Sequence, residues 1–122
     1  MPIFVLPVLA QKLYVAIIKE EMMNQEIRLV AIVDFKQESD IQLVLPTVMN
    51  CVQKSRQEKG NIFYTVSREL NNPKRLVFVE HWTSNSAISQ HADTAHFKEL
   101  EKALSPYQQR PMEILVLSEI NV

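Results

Sequence analysis

The sequence contains very little glycine and cysteine. It has one glycine and one cysteine in 122 residues. A lone cysteine excludes a disulfide framework within the chain. Cys51 falls among apolar residues of a predicted helix, where a cysteine is ordinarily inert filler, so a nucleophilic role is disfavoured. No CxxC or HExxH spacing is present, and the sequence therefore predicts no metal site.

The chain also lacks an excess of charge and an unbroken apolar run. Lys and Arg total 13 against 14 Asp and Glu, so the electrostatic footprint of a nucleic-acid-binding protein is missing. Gln11 and Lys12 interrupt the apolar amino-terminal stretch, which is too short and broken for a membrane span. A secretory signal would require a basic residue near its start, and no basic residue precedes Lys12. We expect a cytoplasmic protein with neither nucleic acid nor membrane as a partner.

The length suits one domain, and the hydrophobic share of 47% suffices for a core. Residues 1–26 are predicted to be an amino-terminal extension outside the functional domain, with Met22 or Met23 as an alternative start. The competing interpretation is a short tail that packs as an extra helix. The functional domain is predicted to span residues 27–118.

The first half of this domain predicts a strand followed by a helix. Residues 27–35 are rich in β-branched side chains on both faces, which is typical of a strand that is largely covered. Ser39 or Asp40 is a suitable N-cap for apolar positions that follow at helical spacing. Pro46 lies inside that pattern and should bend the helix. Gly60 is predicted to end the segment as a C-cap in the left-handed conformation.

The second half predicts a hairpin, a helix with a break and a last strand. Residues 62–70 and 76–83 read as strands around the turn signal Asn71-Asn72-Pro73, and residues 112–118 as the final strand. Ser84 or Ser86 can cap the helix, which Thr94 restarts and Ser105-Pro106 ends. The order strand, helix, strand, strand, helix, strand is typical of a ferredoxin-like α+β fold with an antiparallel four-stranded sheet. Because the first strand has no polar side, we expect two such sheets to pack face to face in a homodimer.

The residues most suggestive of chemistry lie where the hairpin ends and the second helix begins. Glu80-His81-Trp82 closes a strand, and the helix after it carries His91, His96 and Phe97. Histidine is the side chain best able to move protons near neutral pH. Its clustering beside the single tryptophan makes this region the candidate site.

With these residues in place, the chain resembles the antibiotic-biosynthesis-monooxygenase superfamily of dimeric α+β barrels. The resemblance covers roughly residues 27–118. It rests on four short matches: Lys59-Gly60-Asn61, Glu80-His81-Trp82-Thr83-Ser84, Gln90-His91-Ala92 and Thr94-Ala95-His96-Phe97. The superfamily includes small quinol monooxygenases, oxidases of aromatic polyketides, haem-degrading enzymes and proteins that process a phosphorylated signalling sugar.

The resemblance implies oxidation of a small electron-rich aromatic, such as a quinol, by dioxygen without a cofactor. Ground-state dioxygen is a triplet that reacts poorly with closed-shell molecules, whereas a phenolate or enolate can give it one electron. The protein must therefore supply a base that works near neutral pH, together with an apolar cavity that holds the resulting anion.

On this resemblance, His91 is the first choice for the general base or for a donor that orients the substrate, and His96 is the second. Glu80 is expected to orient a histidine or to bond the substrate. The substrate-binding residues are expected to be aromatic: Trp82, Tyr64 and Phe97.

Structural interpretations compete with these roles. Each histidine could serve packing or helix capping, and the aromatic residues could be core. Glu80 could form a salt bridge with Arg28 or Arg68 across the sheet.

Three other functions remain open within the resemblance. Haem degradation is disfavoured because the stretch 30–33 lacks the asparagine that such relatives carry on their first strand. A sugar-phosphate enzyme should need several cationic groups in a pocket. A non-catalytic dimeric module that binds a small apolar ligand is the remaining alternative.

Overall fold

The computed structural model describes residues 7–13 and 25–121. Within the predicted extension, residues 8–13 form a short helical segment. The alternative starts at Met22 and Met23 lie outside the described residues, as does most of the segment for which an extra packed helix was considered. Among the helices of the described ranges, none combines the length and apolar character that crossing a bilayer requires.

The domain is one antiparallel sheet with helices on one face. Its strands are β1 (Ile27–Asp34), β2 (Asn61–Glu69), β3 (Asn72–Trp82) and β4 (Glu113–Leu117). Its helices are α1 (Asp40–Ser55), α2 (Asn85–Ala92) and α3 (Ala95–Leu104). The strand order is β2-β3-β1-β4, and every pair is antiparallel. The predicted ferredoxin-like α+β fold is therefore confirmed.

Strand register places the candidate residues on the face that the helices cover. Tyr64 on β2 pairs with Glu80 on β3, which pairs in turn with Leu29 on β1. Side chains two residues apart share a face, so Phe78 and Trp82 lie beside Glu80. All five are buried. The hairpin before them is tighter than predicted, because β3 already begins at Asn72.

The two short helices begin at the caps that the sequence indicated. The Ser84 side chain accepts a hydrogen bond from the Ala87 backbone N–H at 3.1 Å, which fixes the start of α2. The Thr94 hydroxyl accepts one from the Phe97 backbone N–H at 3.3 Å and restarts the chain as α3. Such caps satisfy backbone donors that would otherwise have no partner. The break between the helices turns His91 and His96 toward the same point.

Gly60 does not have the left-handed conformation that was predicted for it, since no glycine has a positive φ among the described residues. α1 already ends at Ser55, with Arg56 as its C-cap. The reason for glycine here is a close approach between two segments. A Cβ atom at position 60 would lie 2.3 Å from the Ala87 Cβ, so any side chain would push the loop away from α2.

The centre of the opposite face of the sheet is apolar and has no cover within the described part of the chain. Strand pairing places Val30, Val79 and Leu115 side by side on this outer face. Val79 is 40% exposed and Leu115 43% exposed. Contiguous exposed apolar surface of this kind is characteristic of an interaction surface. The uncovered apolar surface from which a homodimer was expected is therefore present.

Candidate active site

His91 lies at the centre of an aromatic enclosure between α2 and the sheet. Its side chain is 5% exposed. Its ring centroid is 4.7 Å from that of Trp82, 4.9 Å from Phe97 and 5.4 Å from Tyr64. The His96 ring centroid lies 5.9 Å from that of His91, and Glu80 is hydrogen-bonded to Trp82. The structure thus brings together all six of the residues predicted from the sequence.

A carboxylate that the sequence analysis missed holds both helix histidines. Glu58 Oε2 lies 2.6 Å from His91 Nδ1 and 2.9 Å from His96 Nε2. A carboxylate oxygen accepts hydrogen bonds, so the ring nitrogen that faces it carries the proton. For His91, this assigns the hydrogen to Nδ1 and leaves the lone pair on Nε2.

The Nε2 atom of His91 is buried and has no hydrogen-bond partner among the described residues. Buried polar atoms are nearly always bonded, so such an orphan marks a position where a partner is expected. Burial lowers the pKa of His91, and the hydrogen bond that His91 donates to Glu58 opposes that effect. Burial therefore favours the neutral imidazole, which Glu58 orients at Nδ1 and which has an unbonded lone pair at Nε2.

Glu80 does not contact a histidine through any described hydrogen bond. Instead its Oε1 accepts from the Trp82 indole Nε1 at 2.8 Å, which fixes the ring that packs against His91. Burial raises the pKa of Glu80 to about 7, and the bond from Trp82 only partly offsets this. Orientation of the histidines, expected of Glu80, is performed by Glu58.

The competing salt bridges of Glu80 are not formed. Arg28 pairs with Glu119 at 3.4 Å, and Arg68 pairs with Glu38 at 3.7 Å. All four of these side chains are at least 44% exposed, far from the burial of Glu80.

Tyr64 and Cys51 close the inner end of the enclosure. The Tyr64 hydroxyl lies 3.8 Å from Cys51 Sγ, which in turn lies 3.7 Å from Ser55 Oγ. Burial raises the pKa of Tyr64 and also that of Cys51. Neither group ionises readily there, so the cysteine has the inert character predicted for it.

Phe97 connects the enclosure to a surface cavity. A cavity of about 570 Å³ lies between α3 and β4, and Phe97 is the one predicted site residue in its lining. Other lining residues are both apolar and polar: Leu104, Met112, Ile114, Glu101, Lys102 and Gln108. The volume is in the range of small-molecule sites.

Comparison with known proteins agrees with this architecture. The sequence model of the family "Antibiotic biosynthesis monooxygenase" matches residues 27–103. A relative from Bacillus subtilis (strain 168), named "Putative monooxygenase YcnE", is 33% identical over 54 residues. That match covers 44% of this chain and 57% of the relative, so the chain spans little more than half of that protein.

Solved structures extend the likeness over nearly the whole domain. The chain is similar to an antibiotic biosynthesis monooxygenase, with a TM-score of 0.73 and 26% identity over 78% of this chain and 99% of that one. It is equally similar to a conserved protein from Methanosarcina mazei Go1, with a TM-score of 0.73 and 27% identity over 83% and 99% of the two chains. The chain belongs to the antibiotic biosynthesis monooxygenase family.

Proposed function

We propose that the protein is a monooxygenase that oxidises a small electron-rich aromatic, such as a quinol, with dioxygen and without a cofactor. His91 is the general base. One observation carries this assignment: Nδ1 of His91 is bound to Glu58 at 2.6 Å while Nε2 is buried without a partner. A base oriented at one nitrogen and unpaired at the other is suited to receive a substrate proton.

The reaction begins with proton transfer from a substrate hydroxyl to His91 Nε2. Glu58 stabilises the imidazolium that forms, because its oxygen already accepts from Nδ1. The phenolate then gives one electron to dioxygen, and recombination of the two radicals forms a carbon–oxygen bond. Cleavage of the O–O bond leaves one oxygen atom on the ring, while the other leaves as water. For a quinol, the product is a hydroxyquinone.

The aromatic enclosure supports the step that follows proton transfer, in which the substrate anion reacts with dioxygen. Trp82 and Tyr64 are at most 2% exposed, so an anion beside them would be shielded from water. In such surroundings, the electrostatic effect of the imidazolium on the substrate anion is stronger than in water. Glu80 acts as a positioning residue for Trp82, and His96 as one for Glu58.

Phe97 provides the route by which substrate reaches the base. Its ring contacts His91 at 4.9 Å and lines the cavity between α3 and β4. We propose that the aromatic substrate occupies this cavity and displaces the Phe97 ring on approaching Nε2. The apolar and polar groups of the lining match the needs of a ring that carries hydroxyls.

We also propose that the protein is a homodimer that buries the outer face of the sheet. The exposed apolar positions Val79, Leu115 and Leu117 are the centre of this surface. Light scattering coupled to gel filtration tests it: the wild type should elute as a dimer and Val79→Glu as a monomer. A monomeric wild type would contradict the proposal.

Oxygen uptake with a panel of hydroquinones tests the enzymatic proposal. We expect uptake by the wild type and a loss of about 10²–10⁴-fold in His91→Ala, the usual contribution of a positioned general base. Gln90→Ala is the matched control, since Gln90 precedes His91 on α2 and is exposed. Uptake that survives His91→Ala would overturn the role of His91.

The alternatives give different results in the same experiment. Tight binding of aromatics without oxygen consumption would identify a binding module and refute catalysis. Binding that depends on a phosphate group and weakens with salt would identify a sugar-phosphate enzyme instead.

A further inference from the structure

We propose that Glu58, His91 and His96 together bind a divalent transition-metal ion. Each residue offers one donor atom, and the three atoms lie within 4.8 Å of one another. The sequence predicted no metal site because these donors have no short-range spacing. They come from the loop after α1, from α2 and from α3, and only the fold brings them together.

The donor set selects the chemical class of the ion. Two imidazole nitrogens and one carboxylate oxygen suit borderline ions such as Zn²⁺, Co²⁺ and Ni²⁺, whereas Mg²⁺ and Ca²⁺ prefer an all-oxygen shell. Three protein ligands leave further coordination positions open to solvent or a small molecule. The Glu58 and His96 side chains are 16% and 12% exposed, so an ion can reach them from the surface.

The spacing of the donors requires little rearrangement. Two metal–ligand bonds of about 2.1 Å that meet at an octahedral or tetrahedral angle place their donor atoms roughly 3.0–3.4 Å apart. Glu58 Oε2 lies 2.6 Å from one nitrogen and 2.9 Å from the other. An opening of less than about 1 Å between the carboxylate and each nitrogen would therefore convert the cluster into a coordination site, provided that the two nitrogens, which lie within 4.8 Å of each other, come to the same spacing.

Local structure holds the three donors near this arrangement before any ion binds. The Thr94 hydroxyl donates to the His91 carbonyl at 2.7 Å and caps α3 at the same time, which fixes the turn between the two histidines. Gly60 lets the loop that carries Glu58 approach α2 closely. Preorganisation of this kind lowers the cost of binding.

Metal binding and base catalysis would exclude each other. An ion at Nδ1 takes the place of the proton that His91 shares with Glu58. A neutral imidazole then carries its hydrogen on Nε2, where it can donate but not accept. This consequence depends on the proposed function, whereas the binding itself does not.

The single tryptophan provides a direct readout of binding. Trp82 lies 4.7 Å from His91, and the chain has no other tryptophan. Ni²⁺ added to chelator-treated full-length protein should quench its fluorescence with a plateau at one ion per chain, and Zn²⁺ should reverse the quenching by competition. Co²⁺ should develop visible absorption bands with the same stoichiometry.

His96→Ala separates this site from the catalytic pair, because it removes one ligand and leaves the contact of Glu58 with His91. We expect it to weaken metal binding by about tenfold to a hundredfold or more. His81→Gln is the matched control: His81 pairs with Glu26 at 3.0 Å on the outer face, and its loss should leave the titration unchanged.

The proposal is overturned if quenching is absent or does not saturate, or if His96→Ala binds Ni²⁺ as tightly as the wild type. Saturable binding in a protein without oxygen uptake would refute the proposed function alone. Oxygen uptake without saturable binding would refute the metal site alone.

Discussion

Two carboxylates in this molecule, the buried Asp34 and the partly buried Glu58, each hold two basic side chains at separate places in the fold. Asp34, at the end of β1, accepts from Arg75 at 2.7 Å and from Arg110 at 2.6 Å. Glu58, in the loop after α1, accepts from His91 and His96. The two clusters have the same pattern of contacts, but only the Glu58 cluster contains basic side chains that can exchange a proton.

The difference lies in the basic partners. Arginine stays protonated in proteins, so the Asp34 cluster is a fixed set of ion pairs. Its bond with Arg75, assisted by Arg110, holds the pKa of Asp34 below its ordinary value. Imidazole can be neutral, and its second nitrogen is free to act. The Asp34 cluster therefore ties β1 to β3 and to the segment before β4, whereas the Glu58 cluster presents a base.

Glu58→Gln should break the reactive cluster with the largest effect. A glutamine amide can donate to Nδ1 and favour the wrong tautomer of His91, so kcat should fall by about 10²–10⁴-fold. KM should change little, because Glu58 acts through His91 rather than on the substrate. Oxygen-uptake kinetics measure both constants. Glu99→Gln, an exposed position on α3, is the control, and an unchanged kcat in Glu58→Gln would refute the role of Glu58.

Glu80→Gln should flatten the dependence of stability on pH. Burial raises the pKa of Glu80 from 4.5 to about 7, so the folded state binds this proton more tightly than the unfolded state. The associated stability is complete below pH 4.5 and is lost as pH rises to about 7, a change of about 3 kcal/mol. Urea unfolding between pH 4.5 and 8 should show this loss in the wild type and not in Glu80→Gln. If the free energy of unfolding depended equally on pH in the two proteins, the role given to Glu80 would be contradicted.

Asp34→Asn should show that the other cluster is structural. We expect the free energy of unfolding at neutral pH to fall by about 2 kcal/mol, because charge-assisted bonds to two arginines are weakened and both arginines are partly exposed. Oxygen-uptake kcat should be unchanged at a temperature where the variant is folded. If Asp34→Asn had normal stability but had lost activity, the structural role of the Asp34 cluster would be contradicted.

Gly60→Ala should have the smallest of these effects. The added Cβ meets the Ala87 Cβ at 2.3 Å, and overpacking of this kind costs about 1–2 kcal/mol. The double variant Gly60→Ala with Ala87→Gly removes the clash and should be more stable than the sum of the single effects predicts. Strict additivity in thermal unfolding would show that the contact does not explain the glycine.

Features governed by neighbouring residues could be predicted from the sequence. Ser84 and Thr94 act as caps through backbone atoms three residues away, which is why the break between α2 and α3 was visible in the sequence. The period of two along a strand likewise dictates that Glu80 and Trp82 lie on one face of β3.

Features that depend on distant contacts could not be read in this way. Glu58 lies 33 residues from His91 and 38 from His96, and no local pattern of the sequence singled it out. Gly60 itself was assigned a left-handed turn, whereas its requirement is the approach of Ala87. The candidate residues on α2 and α3 were predicted from the clustering of histidines near Trp82 and from the family resemblance. The carboxylate that contacts both histidines directly precedes the first part of that resemblance, Lys59-Gly60-Asn61.

The tautomer of His91 tests the central claim most directly. Nitrogen-15 NMR of the imidazole groups in chelator-treated protein distinguishes a protonated ring nitrogen from an unprotonated one, and His91→Ala identifies the signal among the three histidines. The account predicts hydrogen on Nδ1 and a free lone pair on Nε2 at neutral pH. Hydrogen on Nε2 would contradict it, since that atom could then not accept a proton from substrate.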